Sequence, residues 1–146
     1  MPYMGRGIAG SLPEALADLN QGTELAPKDA LFALWLDVVN KRSGVASRLP
    51  QAITQIDMTK WPAPVIRLFL GQLTPADVLA AADSSDAIQK SGQVCVANFF
   101  SAELALQQGA KEDATRLFRL AAADCPKNFA QWAAAKAELK ALDLTP

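Results

Sequence analysis

Two stretches of this chain repeat one spacing of small and large residues. Gly10, Ala15, Leu19, Gly22 and Pro27 follow one another at intervals of 5, 4, 3 and 5, and so do Gly109, Ala114, Phe118, Ala121 and Pro126. The spacing describes the second half of a helical hairpin. Glycine makes the tight turn, where a positive φ costs it little. The next small residue lets two helices approach, the large one fills their interface, and the following small one continues the same face. Proline ends the helix and opens the next unit. A third copy starts 34 residues after Gly10, running Gly44, Leu49, Ile53, Ile56 and Trp61, with Pro62 directly after. Its small positions have become large, so this hairpin packs more loosely. Gly71, in Leu70-Gly71-Gln72-Leu73-Thr74-Pro75, supplies the turn missing between Gly44 and Gly109.

The predicted organisation is a single all-α domain. It comprises a truncated repeat over 1–27, a degenerate repeat over 28–61, a short hairpin over 62–85, a regular repeat over 86–126 and a capping helix over 127–142. Composition agrees: Ala (28) and Leu (19) supply 47 of 146 residues, while Val, Ile and Thr together supply 18, a balance that favours helix over sheet. Ser11-Leu12-Pro13-Glu14 and Thr74-Pro75-Ala76-Asp77 read as helix starts. Leu12, Leu16, Leu19 and Leu25 mark the apolar side of the first helix. A helix is expected from Lys28 or Asp29 through Leu31, Leu34, Trp35 and Val38, and another from Ser47 to Ile56. A short one runs from Thr74 to about Asp83, and a long one after Ser84-Ser85-Asp86 to Gln108. Lys111–Asp124 and Lys127–Leu142 follow, with Phe129, Trp132, Leu139 and Leu142 as the apolar side of the last. Only nine residues precede Gly10, so the first hairpin lacks most of its first helix. That implies either a piece of a longer array or a face covered by a second copy near Tyr3 and Met4.

A 34-residue period with this pattern resembles the tetratricopeptide repeat (TPR). The resemblance implies a right-handed superhelix of antiparallel helical hairpins closed by a C-terminal capping helix. The first-helix signature departs from the family, with Asn98-Phe99-Phe100-Ser101-Ala102 where a large aromatic, a Leu-Gly pair and a tyrosine are usual. The stretches from Trp61 to Gly71, from Gly92 to Phe100 and from Ala133 to Leu139 are similar to bacterial TPR lipoproteins of the NlpI type. That likeness implies an adaptor scaffold of the bacterial envelope, although the lipidation signal of those proteins is absent. It is also the sole pointer to an envelope location, since no signal peptide is legible.

Several functions are excluded by residue type. The chain has no histidine, which removes His-based triads, a histidine general base and the usual zinc sites. A net charge of −1 argues against nucleic-acid binding by a basic field. No apolar run is long enough to span a membrane. Gly5-Arg6-Gly7-Ile8-Ala9-Gly10 fits a dinucleotide-binding pattern, but four preceding residues leave no room for its strand. Glu14, Glu112 and Asp113 lie in first turns, where carboxylates complement the helix N-terminus. Trp35, Trp61 and Trp132 read as packing residues. No cofactor is expected, and the chain reads as non-enzymatic.

Cys95 and Cys125 lie symmetrically about the Gly109–Ala110 turn, which places them at one height of an antiparallel pair. A disulfide in an oxidising compartment competes with two small buried thiols, and the frequency of buried unpaired cysteine tips the reading to the thiols. The expected functional surface is the concave face of the first helices. Turn counting from the hairpin glycines places Leu34, Val38, Lys41 and Arg42 there, with Arg67 from the short unit and Phe99, Glu103, Leu106 and Gln107 from the regular repeat. Apolar area with both charge signs suits a protein or peptide segment as partner.

Overall fold

Helix boundaries follow local capping chemistry. The computed structural model describes residues 21–22 and 25–143. The Asp29 carboxylate accepts from the backbone N–H groups of Leu31 (3.0 Å) and Phe32 (3.2 Å) and so opens α1 (Ala30–Arg42). Lys41 and Arg42 occupy its last turn, where positive charge complements the helix C-terminus. Gly44 then turns the chain at φ 72°.

The helix expected from Ser47 to Ile56 is reduced to the single turn α2 (Leu49–Ala52). Ser47 Oγ donates to Asp37 Oδ1 (2.5 Å) and accepts from the Leu49 N–H (3.2 Å), which ties the entry to α1. Beyond Ala52 the polar side chains take local bonds instead of helical ones. Thr54 Oγ1 donates to the Gln51 carbonyl (2.7 Å), and Asp57 Oδ1 accepts from the Thr59 N–H (2.9 Å).

Two seven-residue helices follow, α3 (Ala63–Phe69) and α4 (Pro75–Ala81). They flank Gly71, which sits at φ 80°. Thr74 and Asp77 form a reciprocal capping box: Thr74 Oγ1 accepts from the Asp77 N–H (3.2 Å) and Asp77 Oδ2 from the Thr74 N–H (3.0 Å). Asp86 caps α5 (Ala87–Gln107) through the N–H groups of Ile88 and Gln89. Gly109, at φ 78°, reverses the chain into α6 (Lys111–Asp124). The last helix is α7 (Ala130–Asp143). No strand occurs among the described residues, so the described chain is all-helical.

The central helix is α5, which packs against α1, α3, α4, α6 and α7. Its middle, Cys95 to Glu103, is buried on every side. Phe100 meets Phe99 and Trp35 edge-on and Phe99 lies tilted against Trp35, with ring centroids 5.1–5.4 Å apart. Phe69 and Phe118 extend the cluster at 6.0 and 5.8 Å. Such pairs contribute about 0.5–1.5 kcal/mol each beyond area burial. The Trp35 assignment to packing is therefore met.

Cys95 and Cys125 are joined in a disulfide, with Cα atoms 4.9 Å apart. The equal-height argument holds, since the bond spans the open end of the α5–α6 hairpin and fixes those helices as antiparallel. The preference for free thiols is corrected: α6 ends at Asp124, and the extended backbone of Cys125 lies against α5.

Phe129, Trp132, Leu139 and Leu142 pack half-buried against the core as expected, and the fully buried stripe of α7 is Gln131, Ala134, Ala135 and Glu138. One apolar assignment needs correction, since Leu25 is 79% exposed. Residues 1–20, with the Ser11 cap, Gly10 and the self-association face at Tyr3 and Met4, lie outside the described residues. No helix among the described residues is long and apolar enough to cross a membrane.

Candidate functional site

Three helices bring charged side chains to one point. Arg42 is the last residue of α1, Glu103 closes the buried run of α5 one turn before its C-terminal end, and Glu138 stands on the core side of α7. Arg42 Nη2 donates to Glu103 Oε1 (3.0 Å) and Arg42 Nη1 to Glu138 Oε1 (3.1 Å). A further bond joins Arg42 Nη2 to Glu138 Oε2. The planar guanidinium thereby engages Glu138 through both of its terminal Nη nitrogens, a geometry that lysine could not supply. Glu103 and Glu138 are almost wholly buried, at 0% and 2% exposure.

Electrostatics follow from that burial. Desolvation pushes the Glu103 carboxyl well above the ordinary value of 4.5, assisted by hydrogen bonding and charge from neighbouring Glu138 and opposed by Arg42. Burial opposes the Arg42 charge, yet attraction to Glu103 and Glu138 and their hydrogen bonds outweigh it, so its pKa is raised. For an acid whose folded pKa is raised, the stabilising contribution is complete below the unfolded value. It is lost as pH rises through the folded value. Glu103→Gln imitates the protonated acid and leaves Arg42 facing one carboxylate. The variant should therefore gain stability relative to the parent as pH rises above 4.5. The gain should level off once Glu103 ionises in the folded parent. Urea unfolding of both proteins between pH 4 and 9 checks this; a difference that does not vary with pH refutes it.

Beside this cluster lies a recess of about 290 Å³, lined by Lys41, Arg42, Leu106 and Gln107. These come from the C-terminal ends of α1 and α5. Lys41 forms a 3.6 Å ion pair with Asp37 one turn back, and its ammonium lies 5.6 Å from the Phe69 ring centroid. Both polar atoms of the Gln107 amide are buried without a hydrogen-bond partner.

The nine expected surface residues thus separate into three groups. Lys41, Arg42, Leu106 and Gln107 meet in one recess, with Glu103 beneath them as a ligand of Arg42. Leu34, Val38 and Phe99 have no exposed surface and belong to the core. Their placement on an open face is corrected, because α1 packs its apolar side against α5 instead of leaving it toward a groove. Arg67 lies elsewhere, and its Nη2 donates to the Met58 carbonyl (3.0 Å), pinning the loop after α2 to α3.

Glu138 is the functional-cluster residue absent from the sequence expectations. Its signal was the i, i+3, i+4, i+7 spacing of Gln131, Ala134, Ala135 and Glu138, masked by the two polar members of the set. No protein-family model matches the chain. Among the described residues, no group of three or more Cys, Asp or Glu side chains is placed to hold a metal ion.

Proposed function

We propose that this chain is a TPR-like, non-enzymatic adaptor that holds a protein segment at the recess between the C-terminal ends of α1 and α5. The observation that carries this reading is the convergence of Lys41, Arg42, Leu106 and Gln107 on one recess. The Arg42–Glu103–Glu138 cluster beneath gives that recess a rigid floor. Lys41 offers positive charge at the rim, Leu106 apolar area, and Gln107 a donor and an acceptor. Such a mixture suits a peptide with an acidic side chain beside an apolar one. Turn glycines at 44, 71 and 109, all at positive φ, support a succession of hairpins of the TPR kind. The Cys95–Cys125 disulfide supports an oxidising compartment such as the bacterial envelope, in keeping with the likeness to NlpI-type lipoproteins.

The test is a peptide array followed by fluorescence anisotropy on the full chain. Acidic–apolar peptides should bind in solution, and Lys41→Glu should weaken them about tenfold or more, a change of about 1.4 kcal/mol. Arg42 is left intact because it holds the fold. Binding that survives both Lys41→Glu and Gln107→Leu removes the recess as the site. An array with no binder removes the adaptor reading.

A further inference from the structure

The last helix is held unevenly along its length. Just before its start, Phe129 lies so close to α5 that a Cβ on Gly92 would stand 3.1 Å from its ring. The fully buried side chains of α7 are Gln131, Ala134, Ala135 and Glu138. Beyond Ala135 that leaves Glu138 as the fully buried one, with Leu139 and Leu142 half-buried. The second half of α7 is therefore anchored on a carboxylate, whereas α1 is anchored on Leu34, Trp35, Val38 and Val39. The Cys95–Cys125 bond ties α6 to α5. Of the helices that meet at Arg42, α7 has the least apolar area holding its end, and such segments open before the rest of a fold.

Glu138 docks at a site with a surplus of acid. Arg42 donates to Glu103 Oε1 (3.0 Å) and to Glu138 Oε1 (3.1 Å), so one guanidinium faces two carboxyls. Both carboxyls are buried, and Glu103 Oε2 has no hydrogen-bond partner. The neighbouring elements supply no further cation. Lys41, next to Arg42 on α1, pairs with Asp37. Arg67 of α3 donates to the Met58 carbonyl, and Asp77 of α4 stands in its capping box. On α6 every Lys, Arg, Asp and Glu is exposed, as are Lys90 of α5 and Lys136, Lys140 and Asp143 of α7. The charged groups facing Glu103 are thus Arg42 and Glu138. Two carboxylates on one arginine leave a negative charge unmatched in a dry site, and a proton on Glu103 removes it. Burial first, and then Glu138, strengthen the hold of Glu103 on that proton.

We propose that the second half of α7 is a strap latched by this proton, docked while Glu103 holds it and released as Glu103 loses it. When docked, Glu103 is a neutral acid between Arg42 and Glu138. With the strap lifted, water reaches the cluster and Glu103 ionises near the ordinary value of 4.5. The docked state therefore carries one proton more than the released state. Docking is strongest below 4.5 and weakens by up to about tenfold per pH unit as pH rises, until Glu103 ionises in the docked state as well. Phe129 over Gly92 keeps the near end of the helix seated, so the far end is what moves. The latch stands whether or not a peptide occupies the Lys41 recess.

Hydrogen exchange of the full chain, followed by mass spectrometry between pH 5 and 8, tests it. At each pH the exchange rate of residues 137–143 in the parent is divided by the rate in Glu103→Gln. That variant has no proton to lose at this position, and the division cancels the intrinsic pH dependence of exchange. The ratio should rise by up to about tenfold per pH unit and then level off. Amides of the Cys95–Glu103 core should stay protected throughout. Glu103→Met, which also leaves Arg42 and Glu138 as a balanced pair, is the reference if Glu103→Gln does not fold. The proposal is overturned by a ratio that does not change with pH, or by core amides that open together with residues 137–143.

Discussion

Replacing Arg42 with methionine should cost about 3–5 kcal/mol of stability, because it strands a buried carboxylate. At about 2–4 °C per kcal/mol for a chain of this size, the melting temperature should fall by roughly 6–20 °C. The loss comes less from the missing attraction than from the partner left behind. Glu138 is 2% exposed and has Arg42 as its ion-pair partner. A control separates the two causes. The triple variant Arg42→Met, Glu103→Leu, Glu138→Met removes every charge together, and it should recover most of the lost stability. If the triple variant is as unstable as Arg42→Met, the cluster contributes net attraction and the desolvation argument fails. Thermal unfolding followed by circular dichroism decides between them.

The second large effect concerns the Cys95–Cys125 bond. It closes a loop with a sequence separation of 30, and restricting an unfolded chain by that much stabilises the folded state by about 3.5 kcal/mol. Paired Cys95→Ala and Cys125→Ala substitutions should therefore lower the melting temperature by roughly 7–14 °C. A reductant should do the same to the parent and nothing to the double variant. Both sulfurs are buried, at 1% and 5% exposure, so reduction of the folded protein should be slow and should speed up in mild denaturant. Mass spectrometry after alkylation without reductant gives an independent reading. Alkylation of both cysteines in the folded protein as first purified under oxidising conditions would refute the bond.

What was legible in the sequence depended on how local its cause was. Gly44, Gly71 and Gly109 were identified as turns, and each adopts a positive φ; that conformation is costly for other residues, so it marks the sequence directly. The Thr74–Asp77 cap was equally plain, because its reciprocal bonds join residues three apart. The height of the two cysteines followed from symmetry about one turn. Their bonding did not, since it depends on how α5 and α6 rotate about their axes.

The misreadings share a long-range cause. Glu138 and Gln131 look like solvent-facing residues of α7, and Glu138 is buried because Arg42, 96 positions earlier, reaches it. Leu34, Val38 and Phe99 look available for a groove until α1 and α5 are packed together. The second helix of the 28–61 unit is the exception, stopping after one turn where Thr54 and Asp57 take local bonds instead of helical ones. In the recess itself, Lys41, Arg42, Leu106 and Gln107 were named from turn counting alone. Their convergence required only that both helices end at the same side of the molecule.

The central position of α5 has a consequence for synthesis. Its partners α1, α3 and α4 all precede it, and α6 and α7 follow. Until residue 107 has left the ribosome, Leu34, Trp35, Val65 and Ile66 lack their central partner and have only the limited contacts among α1, α2, α3 and α4 to bury against. Arg42 then waits longer still, for Glu138. At about 5–20 residues per second of elongation, that interval is several seconds, during which most of the polypeptide is an open chain with its apolar segments accessible. The molecule therefore closes late and as one unit, with its last helix supplying the final countercharge.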